Sequence, residues 1–172
     1  MALLVLAHAH GLVVTAHHVN HGVRPDSATD ISVIRPLAEQ YGIEVVVHTL
    51  SMQPGANFEA RAREARYAVL PPDVMTGHTA DDQAETVLIN LLRGAASQGL
   101  GAMRPSPLRP LLALRRHETH ALCEALGIHP VIDSTNDAPR FVRTRVRSEL
   151  LPLNADISHR DPVPLLTRSA DL

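Results

Sequence analysis

The segment TGHTADDQAETVLINLLRG, residues 76–94, places a histidine, two aspartates and a glutamate at the head of an apolar pattern. If a helix begins near Thr79, then His78, Asp82 and Glu85 share one face, because they follow each other at spacings of four and three residues. Such a face could hold a metal ion or a substrate, since converging titratable groups are typical of functional sites. It could also be only the polar start of a surface helix.

Helix capping is the simplest explanation of this segment. Thr79 suits the N-cap position, and Asp81 and Asp82 suit the positive end of the helix dipole. For an arbitrary sequence this explanation is the more common one. It leaves His78 and Glu85 without a role.

A zinc site is less favoured, because this helix face lacks a second histidine. His17, His18 and His21 could supply ligands from a neighbouring strand end. Successive strand residues point to opposite sides of a sheet, so His17 and His18 cannot both converge on one ion. We therefore predict no metal site.

Two further polar clusters could bind a ligand. HHVNHGVRPDS, residues 17–27, follows an apolar strand pattern, and an ordinary loop would leave His18, Asn20 and His21 without a role. PRFVRTRVRSELLP, residues 139–152, contains four arginines that a helix would place largely on one side. Such a patch could contact phosphates, although a solvated basic face is the commoner explanation of a charge run.

The apolar pattern alternates between short strands and helices. We predict strands over residues 11–19, 43–50, 73–77 and 128–133, and helices over residues 2–9, 26–42, 57–70, 79–93, 111–127 and 141–151, the last one stopped by Pro152. Strands joined by helices form right-handed βαβ units, so the predicted fold class is α/β, a doubly wound parallel sheet. In such sheets ligands lie at the carboxyl ends of the strands. The helix over residues 79–93 should contact the sheet through Ala80, Ala84, Val87, Leu88 and Leu91.

Composition limits the class of protein. A chain of 172 residues fits one domain that needs no disulfide to fold. The single cysteine, Cys123, lies among apolar residues, so we expect it to be packed and the compartment to be reducing. The formal net charge is -2, all 16 basic residues are arginine, and no apolar run approaches a membrane span, so we expect a cytoplasmic protein without a membrane partner.

Several motifs occur in the order found in one known family. They are HHVNHGVRPDS, FEARAREARY, TGHTADDQAETVLINLLRG, GLGAM, LRPLLALRRHE, DSTND and FVRTRVRSELLP. In this respect the chain resembles the tRNA(Ile)-lysidine synthetases, which are PP-loop ATP pyrophosphatases. On this basis residues 1–153 are interpreted as the catalytic domain, incomplete at its start, and residues 154–172 as a polar, poorly ordered tail.

The resemblance implies a ligase that modifies tRNA in two steps. ATP adenylates the C2 oxygen of the wobble cytidine in a tRNA(Ile) with a CAU anticodon. The ε-amino group of L-lysine then displaces AMP and leaves lysidine. The implied cofactors are ATP and Mg²⁺, the latter bound with the phosphates.

The resemblance also implies roles for individual residues. His78, Asp82 and Glu85 would line the pocket for cytidine and lysine, where carboxylates hold and deprotonate the amine, and Arg93 would neutralise developing charge. The adenosine would lie beside His18, Asn20, His21 and Gly77. The tRNA would contact Asp133, Asn136, Arg140, Arg143, Arg145 and Arg147.

The start of the sequence departs from the family pattern. Family members open with a β-strand and a loop SGGxDS, whose backbone amides bind the pyrophosphate of ATP, and this sequence lacks that loop. We expect a chain that begins at Met1 to fold poorly and bind ATP weakly, so that an upstream segment is missing from this sequence or the product is defective. The C-terminal domains of many members are absent as well.

Two alternatives stay open. The chain could be a non-catalytic remnant of this family that binds tRNA through the arginines of residues 140–147. It could also be another PP-loop enzyme that modifies tRNA, such as a thiolase, although thiolases generally need paired cysteines and Cys123 has no second cysteine beside it.

Overall fold

The computed structural model describes residues 1–20, 27–52, 55, 58–95, 101–129 and 141–170. The strands are β1 (Thr15–Asn20) and β2 (Glu44–Thr49). The helices are α1 (Ala2–Ala9), α2 (Ser27–Gln40), α3 (Phe58–Val69), α4 (Ala80–Leu92), α5 (Arg116–Ala125), α6 (Val142–Arg145), a π-helical turn (Val146–Leu150), α7 (Leu151–Ser158) and α8 (Pro162–Ala170). They belong to two compact units.

The first unit comprises Met1–Val74 and Leu122–Val131, and it contains the sheet. β1 and β2 pair in parallel, with Thr15 opposite Glu44 and Asn20 opposite Thr49. Parallel neighbours need a crossover connection, which α2 provides, so β1, α2 and β2 form a βαβ unit. The predicted α/β class is confirmed.

Helices α1 and α2 supply much of the core of this unit. Ala2 and Val5 of α1 pack with Leu37 of α2, Cys123 and Ile128. The apolar sequence ALLVLAHA therefore forms the predicted helix, and Cys123 is packed as predicted.

The second unit comprises Met75–Ala121 and Ile132–Leu172, and its described core is helical. Ala80, Ala84 and Leu88 of α4 belong to one buried cluster. Its other members are Val146, Leu151 and Val163. Within this unit, other helices pack against these α4 side chains, and their contact with the sheet stays a prediction. Leu91, predicted as part of the same stripe, is exposed.

The predicted strand over residues 73–77 is wrong. The N–H of Val74 donates to the carbonyl of Pro71 at 3.2 Å, so a turn occupies the start of the segment. Pro71 and its neighbour Pro72, just before the segment, lack the N–H groups that a strand ladder needs. Of the predicted strand over residues 128–133, residues 130–133 lie outside the described residues, and Ile128 and His129 are not in a strand.

The helix predicted over residues 141–151 does not stop at Pro152. Helical backbone continues from α6 through the π-helical turn into α7. Pro152 lies in the first turn of α7, where its missing N–H removes no bond within that helix, and the wider π-helical turn precedes it. The proline is therefore accommodated at the start of α7 instead of ending the helix.

The residues after Leu153 are not an irregular tail. The carboxylate of Asp161 accepts the N–H of Val163 at 3.0 Å, and Pro162 occupies the first position of α8. Val163 is buried in the core cluster, and Leu166 packs against it. The expectation of poor order is wrong for α8, while the domain boundary at residue 153 stays a prediction. Within the described part of the chain, no helix is long and apolar enough to cross a membrane.

Candidate functional site

The start of α4 is capped by its own side chains. Oδ2 of Asp82 accepts the backbone N–H of Thr79 at 2.9 Å and the hydroxyl of Thr79 at 2.8 Å. At the other end, Gly94 has φ +75 and its N–H donates to the carbonyl of Leu91, which closes the helix. The predicted capping by Thr79 and Asp82 and the predicted stop at Gly94 are confirmed.

Glu85, one turn further along α4, has no exposed surface. Its Oε1 accepts hydrogen bonds from Arg116 Nη2 at 2.8 Å and Arg147 Nε at 2.7 Å. Its Oε2 accepts hydrogen bonds from Arg143 Nε at 2.9 Å and Arg147 Nη2 at 3.2 Å. Both carboxylate oxygens are thus engaged by three guanidinium groups.

A second carboxylate lies beside Glu85. Arg116 Nη2 also contacts Asp82 at 3.2 Å, so within the described residues two carboxylates of α4 face three guanidinium groups. The side chains of Arg143 and Arg147 are 38% and 39% exposed, so each faces solvent as well as Glu85. A fully buried carboxylate is tolerated only when its hydrogen bonds are satisfied, and here these arginines satisfy them.

Asp81 joins α4 to α5 and α8. Arg115 donates from Nε at 3.2 Å and from Nη2 at 3.3 Å to the two oxygens of Asp81, and the N–H of Arg116 donates to Asp81 at 2.7 Å. The same Arg115 guanidinium also forms a salt bridge with Asp161 at the start of α8. Arg115 and Arg116 therefore connect the starts of α4, α5 and α8.

The pKa values of the two aspartates reflect these contacts. Burial alone would raise the pKa of Asp81, but hydrogen bonds from Arg115 and from the N–H of Arg116 lower it overall. Burial would likewise raise the pKa of Asp82, and the two hydrogen bonds from Thr79 lower it. Both side chains therefore favour the ionised form more than a free aspartate does.

His78 is oriented by Thr76. The hydroxyl of Thr76 donates to the carbonyl of Leu108 at 3.3 Å and lies 2.8 Å from His78 Nδ1. This hydrogen bond fixes the orientation of the imidazole, and either the hydroxyl or His78 Nδ1 can be its donor.

Gln83 fastens a loop to the same end of α4. Its side chain is buried, its Nε2 donates to the carbonyl of Met103 at 2.9 Å, and its Oε1 accepts the N–H of Met103 at 2.9 Å. Met103 follows Ala102, which has φ +43, a conformation that costs a non-glycine residue about 1 kcal/mol. The paired hydrogen bonds, here called the Gln83 clamp, hold this backbone in place.

The structure brings some of the predicted site residues together. Asp82, Glu85, Arg143 and Arg147 converge in the second unit, and Arg116, which was not among the predicted site residues, completes the group. The segment RRHE, residues 115–118, predicts only part of a helix. Its arginines contact residues more than 30 positions away, and no spacing in the sequence predicts such contacts.

Other predicted residues lie elsewhere. Arg93 is the exposed C-cap of α4, roughly 20 Å from the first turn of that 13-residue helix. Arg145 pairs with Glu149 on an exposed face, and Gly77 is exposed just before α4. The remaining predicted residues of this unit lie outside the described residues: Asp133, Asn136 and Arg140.

In the first unit, His18 and Asn20 are half-buried on β1 near its carboxyl end, and His21 lies outside the described residues. His17 Nδ1 is 3.0 Å from Nε2 of His48 on β2, and the two rings stack. No cluster of three or more histidine, cysteine, aspartate or glutamate side chains suited to a metal ion occurs among the described residues.

Comparison with known proteins identifies the family. The PP-loop domain matches residues 1–154. The chain belongs to the PP-loop domain family. It is 38% identical over 99% of its length to the tRNA(Ile)-lysidine synthase of Corynebacterium glutamicum, and 42% identical over 91% of its length to that of Mycobacterium tuberculosis strain H37Rv. These matches confirm the resemblance to the lysidine synthetases.

The matches differ in how much of each protein they cover. The chain spans about half the length of these curated relatives, 56% and 51% respectively. Among solved structures, the U34-tRNA thiolase NcsA from Methanococcus maripaludis has a TM-score of 0.74 at 19% identity, over 98% of this chain and 65% of that one. At this identity the likeness concerns the fold alone.

Proposed function

We propose that this chain is the PP-loop part of an enzyme that ligates L-lysine to C2 of the wobble cytidine of a tRNA(Ile) with a CAU anticodon. The observation that carries the proposal is the similarity to lysidine synthases along nearly the whole chain. The polar cluster at the start of α4 supports it, because titratable groups that are buried and converge are typical of active sites.

The proposed reaction has two steps. In the first, the C2 oxygen of cytidine attacks the α-phosphate of ATP, and pyrophosphate leaves. In the second, the neutral ε-amine of lysine attacks C2, the C2–oxygen bond breaks, AMP leaves with that oxygen, and the amine loses a proton. The enzyme must therefore bind an ammonium group, accept a proton from it and stabilise negative charge on phosphate.

His78 is proposed as the residue next to the reacting base. Thr76 holds its imidazole just before α4, and a neutral imidazole can accept a proton from an amine. Asp82 follows His78 by four residues, and we propose that its charge adds to the potential that attracts the lysine ammonium group while its contacts with Thr79 and Arg116 stay in place.

The contacts of Glu85 favour a positioning role over that of a base. Both of its oxygens accept hydrogen bonds from arginines, so deprotonating an amine would require breaking those bonds. We propose that Glu85 holds Arg143 and Arg147 at the solvent boundary, where the exposed parts of their guanidinium groups can meet tRNA or phosphate. Arg93 and Arg145 lie apart from this group. The roles that the resemblance implies for them, neutralising charge and contacting tRNA, stay proposals.

ATP enters the proposal as a substrate. His18, Asn20, His21 and Gly77 stay proposed contacts of the adenosine, and Asp133, Asn136 and Arg140 stay proposed contacts of tRNA. The described carboxylates of α4 do not suit Mg²⁺, because Asp81, Asp82 and Glu85 are each engaged by arginines. We therefore propose that Mg²⁺ binds together with the phosphates of ATP.

A thiolase function has less support. Its only basis is a likeness of fold, and the single cysteine of the chain, Cys123, is buried in an apolar core. A buried thiol in apolar surroundings is poorly reactive.

The first step is tested by pyrophosphate release from ATP on addition of an unmodified tRNA(Ile) transcript with a CAU anticodon. We expect transcript-dependent release by the wild-type chain and by the control Arg168→Gln, which changes an exposed arginine of α8. His78→Ala should instead slow the second step, the lysine-dependent release of AMP from the adenylated transcript, by about 100-fold or more, the usual contribution of a general acid or base. Binding of the transcript with no release would instead support the non-catalytic alternative.

A further inference from the structure

The segment MRPSPLRP, residues 103–110, forms a loop that is fastened at both ends; it is called the proline loop below. The Gln83 clamp holds the backbone of Met103. At the other end, Thr76 donates its N–H to the carbonyl of Leu108 at 2.8 Å. Pro105 and Pro107 restrict the backbone between these points, so the loop is preorganised.

The two arginines of the proline loop lie next to each other. Arg109 Nη1 donates to the backbone carbonyl of Arg104 at 3.1 Å. The backbone N–H of Arg109 donates to the carbonyl of Ser106 at 2.9 Å, which closes a turn. Arg104 is exposed and Arg109 is half-buried. Across the described part of the chain, neither guanidinium forms a salt bridge with a carboxylate.

This arrangement contrasts with that of the arginines on α6 and the π-helical turn. Arg143 and Arg147 are bound to Glu85, and Arg145 is bound to Glu149. An anion that approaches those residues must compete with a carboxylate already in place. An anion that approaches Arg104 and Arg109 meets two positive charges on one short loop, and no described carboxylate pairs with either of them.

We propose that the proline loop is an RNA-binding element that contacts backbone phosphates through Arg104 and Arg109. The inference rests on the proposed function for the presence of RNA. Through Leu108 and Thr76 the loop is linked to His78, so a phosphate bound there would lie on the RNA near the reacting nucleotide. Guanidinium groups on a rigid loop suit phosphate oxygens, and holding the loop in advance lowers the entropic cost of binding.

The test measures binding of an unmodified tRNA(Ile) transcript to the full chain at several salt concentrations. Removing one arginine–phosphate interaction should lower the slope of log affinity against log salt by about 0.7 on a single strand or about 0.9 on a duplex. Arg104→Gln should show this decrease. Arg109→Lys should keep most of the slope because it keeps the charge, and Arg168→Gln is the control for removal of an exposed charge outside the loop.

The position of the loop is tested separately from its charge. Gln83→Leu keeps both arginines but removes both hydrogen bonds to Met103. We expect the Met103 amide to exchange with solvent much faster while the amides of α4 stay protected, and the affinity for the transcript to fall. An unchanged affinity in that variant would overturn the claim that the loop must be held in place.

The outcomes separate this inference from the proposed function. If the wild-type chain binds the transcript and Arg104→Gln has the same salt slope as Arg168→Gln, the RNA-binding role of the loop is wrong and the proposed function stands. If the wild-type chain binds no transcript and releases no pyrophosphate, both are wrong. Tighter binding of an acidic peptide than of the transcript, abolished by Arg104→Gln, would indicate a protein partner and overturn the inference.

Discussion

Glu85 is a carboxylate without solvent exposure that three guanidinium groups surround. Its cost of desolvation is offset by these hydrogen bonds, so a change that removes the negative charge also removes the shared partner of the three guanidinium groups. The spacing of Glu85 and Asp82 along α4 was predictable from sequence, because the helical period fixes it. The arginine partners of Glu85 were not predictable, because Arg143 and Arg147 lie 58 and 62 residues further along the chain.

The replacement Glu85→Gln tests this description. It preserves the shape of the side chain and removes its charge, and we expect a loss of about 3 kcal/mol in the free energy of unfolding, measured with urea. Glu149→Gln is the matched control, because Glu149 also pairs with an arginine but on an exposed surface, and its unfolding midpoint should stay unchanged. Equal shifts in the two variants would contradict the buried-charge interpretation.

The lowered pKa of Asp82 predicts how stability depends on pH. Its folded-state pKa lies below the ordinary value of about 3.9, so its contribution is complete above that value and is lost as the pH falls through the folded-state pKa. Asp82→Asn removes this titration. Between about pH 5 and about pH 2 the free energy of unfolding should therefore fall less steeply in the variant than in the wild-type chain. Parallel curves would show that Asp82 does not stabilise the fold through its charge.

At the scale of elements, helix α8 completes the core of the second unit. Val163 packs into the cluster with Ala80 and Ala84, and Arg115 connects the start of α8 to the start of α4. Helices with a clear period, such as α3 and α4, were predicted from sequence. Helix α8 was not predicted, although Asp161 and Pro162 are typical of a helix start, because the segment is short and proline-containing and is stabilised by packing of Val163 against α4.

Truncation of a buried side chain in α8 tests its contribution. We expect Val163→Ala to lower the free energy of unfolding by about 2 kcal/mol, because it removes buried methyl groups and leaves a cavity. Leu165→Ala removes more atoms, but from a side chain that is 40% exposed, and it should cost less. The comparison uses urea unfolding of the full chain. A larger loss in Leu165→Ala would show that α8 packs differently.

At the scale of the whole molecule, net charge is a poor guide to function. The formal net charge of -2 does not indicate RNA binding, whereas the arginines at the start of α5, on α6 and in the proline loop are concentrated in the second unit. The α/β class and the family were predictable because motif order and βαβ alternation are properties of sequence. The pairing of each arginine was not, because it depends on how distant segments pack.

The central claim is that this chain supplies the catalytic chemistry of lysidine formation. The most direct test incubates the chain with ATP, L-lysine and the CAU tRNA(Ile) transcript, digests the RNA and measures lysidine at the wobble cytidine by mass spectrometry. We predict ATP-dependent lysidine that His78→Ala abolishes and Arg168→Gln preserves. Unmodified cytidine with the wild-type chain, under conditions in which a full-length lysidine synthase modifies the same transcript, would contradict the claim.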